Sequence, residues 1–385
     1  MGQNQQKIDI SKDDMSEFNQ HEPVFVSFGE TMIRDTPTDS QRLEMTREVY
    51  ISLAGSELTL TMMLSRLGIP ASYITRVPDN PYGWMLRDTA RSQGVNTDYF
   101  VWAPKSEPMG RLLYELGRTP RKSTAYYQRM YSAASKLDEG MVDWEDALRT
   151  CKLFHTSGIS FGLAYHSKYE KNYLLDTFNE AVQLKPSDCL VGMDFNYRAT
   201  LWKKDQCRTV LTPLITDNID ILITTIEDMA AIYNLGCGKY SVDEINNGDI
   251  GDLSDSDLKS LATQLGEMFK TRVVALTIRY PDTFEQHRWE TAVINDQGHF
   301  VRSPAIKPIV LLDRLGGGDT WNGGFYYGLI TKGLGMEGLE KGVLVGDAAT
   351  RLKQTQMFDL PIVTKSEIHS LMQEDEKGGG KRVSR

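Results

Sequence analysis

Leu312-Asp313-Arg314-Leu315-Gly316-Gly317-Gly318-Asp319-Thr320 is the stretch on which the reading of this 385-residue chain turns. Val310-Leu311-Leu312 ahead of the glycines reads as a strand, and Trp321 to Leu334 behind them as a helix with several small residues. Gly316, Gly317 and Gly318 can adopt positive φ and present successive backbone N–H groups with no side chain in the way. At a helix N-terminus such groups form an anion cradle. Asp319 falls where the cradle meets the helix. A carboxylate there cannot ligate a phosphate, so its chemical task is to take a proton from an attacking hydroxyl. The combination reads as phosphoryl transfer, with the glycine N–H groups stabilising charge on the moving group. The same spacing also fits a glycine-rich turn with Asp319 as an ordinary N-cap. No Gly-Lys-Ser/Thr follows, so this is not a Walker A loop, and it is not G-x-G-x-x-G either.

Upstream, strand-like and helix-like segments alternate. Val24 to Phe28 reads as a buried strand ending at Gly29-Glu30, Ala54 to Leu67 as a helix stopped by Gly68, Ser72 to Val77 as a strand, and Gly83 to Gln93 as a helix. Further strands are expected at 153–156, 189–194, 219–223 and 273–277, each separated from the next by a helix-length segment. This rhythm predicts an α/β fold of βαβ units, a parallel sheet with helices on both faces. Residues 31–53 and 101–130 break it with short polar-alternating strands, which would make a small β-sheet lid. Asp243 to Asp257 reads as an acidic surface loop. The expected organisation is a flexible leader over 1–22, one kinase-sized α/β domain over 23–372 and a flexible tail over 373–385.

The composition narrows the function classes. Hydrophobic residues make up 40% and charged residues 25%, as in a soluble globular protein. A net charge of −9 argues against general affinity for nucleic acid or anionic membrane. Cys151, Cys189, Cys207 and Cys237 show no CxxC pairing and read as reduced packing residues. With a polar N-terminus and no apolar run near the ~20 residues of a membrane span, the expected location is cytoplasmic.

Asp-Arg-Leu-Gly-Gly-Gly-Asp-Thr followed by Gly323-Gly324-Phe325-Tyr326-Tyr327-Gly328-Leu329 resembles the C-terminal signature of the ribokinase-like (PfkB-type) carbohydrate kinases. The Asp-Arg-x-Gly-Gly-Gly-Asp variant is similar to that of 2-keto-3-deoxygluconate kinases. Phe28 to Arg34, Arg76 to Gly83, Phe154 to Ile159, and Asp194 to Arg198 with Leu201-Trp202 agree with the same subfamily, in order, over about residues 24–368. The resemblance implies a Rossmann-like three-layer domain, ATP as donor, Mg²⁺, a sugar-acid acceptor, a homodimer, and Asp319 as base with Gly316, Gly317 and Gly318 as the cradle. It implies that Gly55, Tyr127, Arg129, Asn196, Arg198 and Asp359 face the acceptor, and that Arg314, Thr225 and Thr277 face the nucleotide. Asp228 would face the metal. Arg314 could equally brace the loop by pairing with Asp313, and Asp194 could serve as a loop-ordering acceptor.

Several positions depart from the family pattern. Ala54 and Thr59 stand where the family has a glycine and an asparagine, Leu112 where it has a substrate-facing tyrosine, and Thr225 where it has an asparagine near the metal and phosphates. The catalytic run is kept while acceptor contacts are changed. That pattern fits a kinase with a shifted acceptor better than a non-catalytic sugar- or nucleotide-binding regulator.

Overall fold

The structure is a computed structural model and describes residues 8–13, 15, 16, 18, 19, 22–165, 171–281, 286–304 and 309–376. Its central sheet runs, edge to edge, Phe300–Arg302, Gln286–Asn295, Val273–Pro281, Ile221–Thr225, Leu190–Asp194, Leu153–Ser157, Phe25–Phe28 and Ala71–Ile74, and Ile309–Val310 pairs with Gln286–Asn295. The strands from Val273–Pro281 to Ala71–Ile74 are parallel, and the remainder antiparallel. Alternate residues feed opposite cores, as the period of a strand requires. Val26, Phe28, Leu222, Val274 and Leu276 pack with one layer of helices, while Phe25, Ile221, Ile223, Val273 and Ala275 pack with the other. This is the expected three-layer α/β architecture.

Strand order places the site. Phe25–Phe28 lies between Ala71–Ile74 and Leu153–Ser157, so the chain departs to opposite sides from its two faces of pairing. Open parallel sheets bind ligands outside the carboxyl ends of strands at such a reversal. The lid rises from there as a four-stranded sheet in the order Val49–Ala54, Met32–Pro37, Arg111–Glu115, Thr124–Gln128. Val101–Ala103, expected in the lid, pairs instead with Arg76–Pro78 as a separate two-stranded ribbon.

Two antiparallel helices form the floor of the site. Gly317–Lys332 begins there and Met336–Gln354 ends there. They approach backbone to backbone through glycines: a Cβ on Gly324 would lie 2.5 Å from the Gly346 Cα, and one on Gly328 would strike the Gly342 backbone.

Elsewhere the structure corrects the sequence reading. The leader is packed where it is described: Ile10 and Phe18 are buried, and the Asp13 carboxylate accepts from the Tyr327 hydroxyl and pairs with Lys341 at 2.8 Å. The acidic stretch holds a helix, Val242–Asn247, closed by a Ser241/Glu244 capping box and anchored by buried Ile245. The last helix runs from Lys365 to Glu376, past the expected start of the tail, and Asp375 pairs with Arg351. Residues 377–385 lie outside the described residues. All four cysteines are free and buried. Among the described residues no helix is long and apolar enough to cross a membrane.

The glycine contact sets a test. Gly328→Ala forces a methyl group into the Gly342 backbone, and urea denaturation is expected to show a loss of about 1–3 kcal/mol, as for other overpacked cores. An unchanged midpoint would mean that the two helices separate freely.

Candidate active site

The sequence places a positive-φ residue before the helix, and the structure has it at Gly316 (φ 76°), the N-cap of Gly317–Lys332. A Cβ there would collide with the Asp359 carbonyl, so glycine is required. At Gly318 a Cβ would meet only Trp289, at 3.8 Å. Protein packing therefore leaves the space beside Gly318 open to a ligand. Among the described residues the Gly318 and Asp319 N–H groups have no carbonyl acceptor, whereas Gly317 donates to the Arg314 carbonyl at 3.4 Å and Thr320 to that of Gly316 at 2.9 Å. The free pair lies at the positive end of the helix dipole. The helix starts four residues earlier than Trp321, which puts Asp319 within the first turn and not at the cap.

Asp319 meets two other elements. Ser56 Oγ, at the start of the Ser56–Arg66 helix, donates to Asp319 Oδ1 at 2.5 Å, and Asn196 Nδ2 reaches Ser56 Oγ at 3.5 Å. Asn196 follows the Leu190–Asp194 strand and holds φ 44°, a left-handed conformation that asparagine tolerates. Gly55, the N-cap before Ser56, packs tightly against Thr31 Oγ1 (2.7 Å from an added Cβ) and the Glu30 carbonyl. Burial raises the Asp319 carboxyl above the usual range, opposed by the Ser56 hydrogen bond and by the charges of Arg198, Lys353 and Arg279. A carboxylate so placed is a stronger base toward a hydroxyl than a solvated one.

The floor is rich in carboxylates. Burial lifts Asp194 to about 7, aided by the charges of Asp319 and Asp228 and opposed by a 2.9 Å hydrogen bond from Asn322. Asp228 rises to about 6, again chiefly through burial, with Arg198 opposing. Its carboxylate accepts from the Tyr197 N–H at 3.2 Å. Among the described residues Glu227 Oε2 is buried with no hydrogen-bond partner. No group of three acidic, histidine or cysteine side chains among the described residues forms a ready metal cage. Mg²⁺ needs none, since it is held through one or two carboxylates together with phosphates and water. The orphaned Glu227 oxygen and the mutually repelling Asp194 and Asp228 fit a cation of that kind.

Other expected residues are placed differently. Asp359 pairs through Oδ1 with Arg34 at 2.6 Å, and Arg34 also pairs with Asp313 at 2.5 Å. That second pair gives Asp313 to Arg34 and not to Arg314, which is exposed and lines a cavity of about 200 Å³ with Asp39, Tyr114 and Arg118. Thr225 Oγ1 is spent as the N-cap acceptor for the Asp228 N–H, and Thr277 is buried opposite Thr225 in the sheet. Arg129, under the ring of Tyr127 at 5.8 Å, is held by Glu30 through Nε at 2.7 Å and Nη2 at 2.5 Å. Among the described residues its Nη1 has no protein acceptor. Ala54 and Leu112 pack with Met32 and Tyr114 as apolar lid filling, and Thr59 is wholly buried.

Ser56, Arg34, Lys353 and Glu57 belong to the site or its support, and the sequence reading assigned none of them a role. Glu57 is buried beside Gly29 and accepts from Ser157 at 2.5 Å. Its one sequence signal was a glutamate in the first turn of an apolar helix.

A parallel three-layer body, a β lid, a glycine turn at a helix N-terminus and a half-buried aspartate hydrogen-bonded to a hydroxyl fit a phosphotransferase acting on an alcohol. The chain belongs to the pfkB family of carbohydrate kinases, whose pattern residues 24–245 match. It is thus a carbohydrate kinase using ATP with Mg²⁺. It is similar to a 2-dehydro-3-deoxygalactonokinase of Haloferax volcanii, with 29% identity over 92% of this chain and 98% of the relative. A 5-dehydro-2-deoxygluconokinase of Clostridium botulinum shares 25% identity over 94% and 96% of the two chains. The crystal structure of a 2-dehydro-3-deoxygluconokinase from Thermotoga maritima superposes with a TM-score of 0.78 at 27% identity, covering 91% of this chain and 99% of that one.

Burial raises Glu57 to about 7, which makes it a pH-sensitive element of stability. A carboxyl whose folded value lies above its unfolded one binds more protons when folded, so stability falls as pH rises from the unfolded value through the folded one. Glu57→Gln removes that penalty. Thermal melts are expected to show the variant gaining on wild type between about pH 4 and pH 7 and holding the gain above; parallel melting curves would contradict it.

Proposed function

We propose that this kinase phosphorylates a primary hydroxyl of a 2-keto-3-deoxy sugar acid, with 2-keto-3-deoxygluconate and its 6-phosphate as the leading pair. The observation that carries the reading is Asp319 Oδ1 already accepting a hydroxyl, that of Ser56, beside the open face of Gly318. An acceptor hydroxyl reaching the other carboxylate oxygen would be held and deprotonated as it attacks. The free N–H groups of Gly318 and Asp319 would take the charge growing on the phosphoryl oxygens, and Arg198, whose charge is felt by Asp319, Asp194 and Asp228, would help balance it. Glu227 and Asp228 would hold Mg²⁺ together with the phosphates, and the ion would supply charge neutralisation of the polyphosphate. Preference for an acid is supported by the sugar-acid kinases named above and by the unused Nη1 of Arg129 at the lid.

A second reading, a neutral sugar of fructose or pentose type, is favoured by one observation: Glu30 already neutralises Arg129. Homodimerisation fits either reading, because Val49, Tyr50 and Ile51 of the outer lid strand stay exposed. Sedimentation measures it.

ADP release with ATP and Mg²⁺ against keto-deoxy acids, aldonates and neutral sugars distinguishes the two acceptors. Highest turnover on a keto-deoxy acid is expected, and a neutral sugar preferred over every acid would overturn the role of Arg129. In Asp319→Asn, turnover is expected to fall about 10²–10⁴-fold, the worth of a positioned base. Retained activity would remove Asp319 as the base.

A further inference from the structure

We propose that Lys353 is a positioning residue for phosphoryl transfer, whose buried ammonium sets the turn 313–316 so that the cradle N–H groups aim at the moving phosphoryl. Lys353 is wholly buried in the last turn of Met336–Gln354. Its Nζ donates to the Asp313 carbonyl at 3.3 Å and to the Leu315 carbonyl. Those two carbonyls bracket Arg314 and stand immediately before Gly316, the residue whose left-handed conformation starts the cradle helix. The ammonium therefore acts on the peptide planes that fix where Gly317 and Gly318 point.

The arrangement is not a simple ion pair. Among the described residues no carboxylate oxygen lies within ion-pair distance of Lys353, although Asp313, Asp359 and Asp319 all favour its charge from nearby. Arg34 opposes that charge, and burial opposes it most. Arg34 and Lys353 thus share the turn from two sides. Arg34 grips the Asp313 side chain from the lid strand Met32–Pro37, and Lys353 grips the backbone from the helix floor. Gln354 adds to the floor side, its carbonyl accepting from the N–H groups of Leu312 at 2.9 Å and Asp313 at 3.3 Å. An apolar side chain would fill the same volume at lower desolvation cost. What only the ammonium supplies is donors to two carbonyls at once.

The inference rests on Asp319 and the cradle being the transfer site and asks nothing of the acceptor. The test therefore reads sugar-independent hydrolysis of Mg·ATP alongside turnover on the acceptor that wild type uses. Lys353→Ala is expected to lower the maximal rate about 10²-fold, comparable to losing one charge-stabilising donor, while KM for Mg·ATP changes by less than about threefold. Methylammonium, which fits the space left, is expected to restore much of that rate, and tetramethylammonium to restore none. Lys353→Met fills the space without charge and is expected to show the same loss with no rescue. A Lys353→Met rate near that of wild type would overturn the proposal, as would a folded Lys353→Ala that methylammonium leaves unchanged. Should the alanine variant fail to fold, the methionine variant decides alone. Failure of the sugar-acid reading would show instead in wild type, as absent turnover on acids with hydrolysis intact.

Discussion

Arg34 is a fully buried guanidinium shared between two carboxylates that are far away in sequence, Asp313 before the cradle and Asp359 after the helix floor. Tyr114 covers it at 4.5 Å and Phe358 at 5.6 Å, so water is kept off the pair. The constraint is severe. Asp313 also accepts from the N–H groups of Leu315 at 3.1 Å and Phe358 at 3.1 Å, which joins the lid, the cradle turn and the C-terminal segment at one carboxylate. Deleting one partner of such a cluster strands a buried charge, typically at a cost of about 3–5 kcal/mol, far more than a surface pair is worth. The lid is therefore attached to the catalytic turn by charge, not merely by apolar contact.

Beyond that joint, the cleft gathers Asp194, Asp228, Glu227 and Asp319 at the carboxyl ends of the strands and the head of one helix. Burial raises the carboxyls of Asp194, Asp228 and Asp319 above the usual range, and the charge of Arg198 opposes all three. Such a floor is poorly matched to an anion by itself. A divalent cation accompanying the polyphosphate would match it. Positive and negative elements are adjacent in the chain: the amide of Gly318, then the carboxylate of Asp319 in the same helix turn.

Much of this was legible in the chain itself. The strand–helix rhythm and the carboxyl-end placement of Asn196 follow from local periodicity, and the glycine run announced a backbone needing positive φ, found at Gly316. The capping box at Ser241 and Glu244 was equally readable, yet the acidic composition around it suggested a loop. Less legible were charges whose partners are remote. Asp359 and Arg129 were recognised as suited to a ligand, but Arg34 and Glu30 claim them, at sequence separations of 325 and 99 residues. No local pattern distinguishes an arginine awaiting a substrate carboxylate from one already holding a protein carboxylate.

The sequence by itself determined the layered α/β body and a glycine turn leading into a helix with Asp319 in its first turn, because each depends on short-range rules: strand and helix periods and the conformational freedom of glycine. Only the tertiary structure decided what surrounds Asp319. Ser56, Asn196 and Asp319 come from three elements, and Arg34, Asp313, Lys353 and Asp359 from four segments. Their meeting depends on strand order and on two glycine-lined helices closing to backbone contact, which no single stretch of the chain encodes.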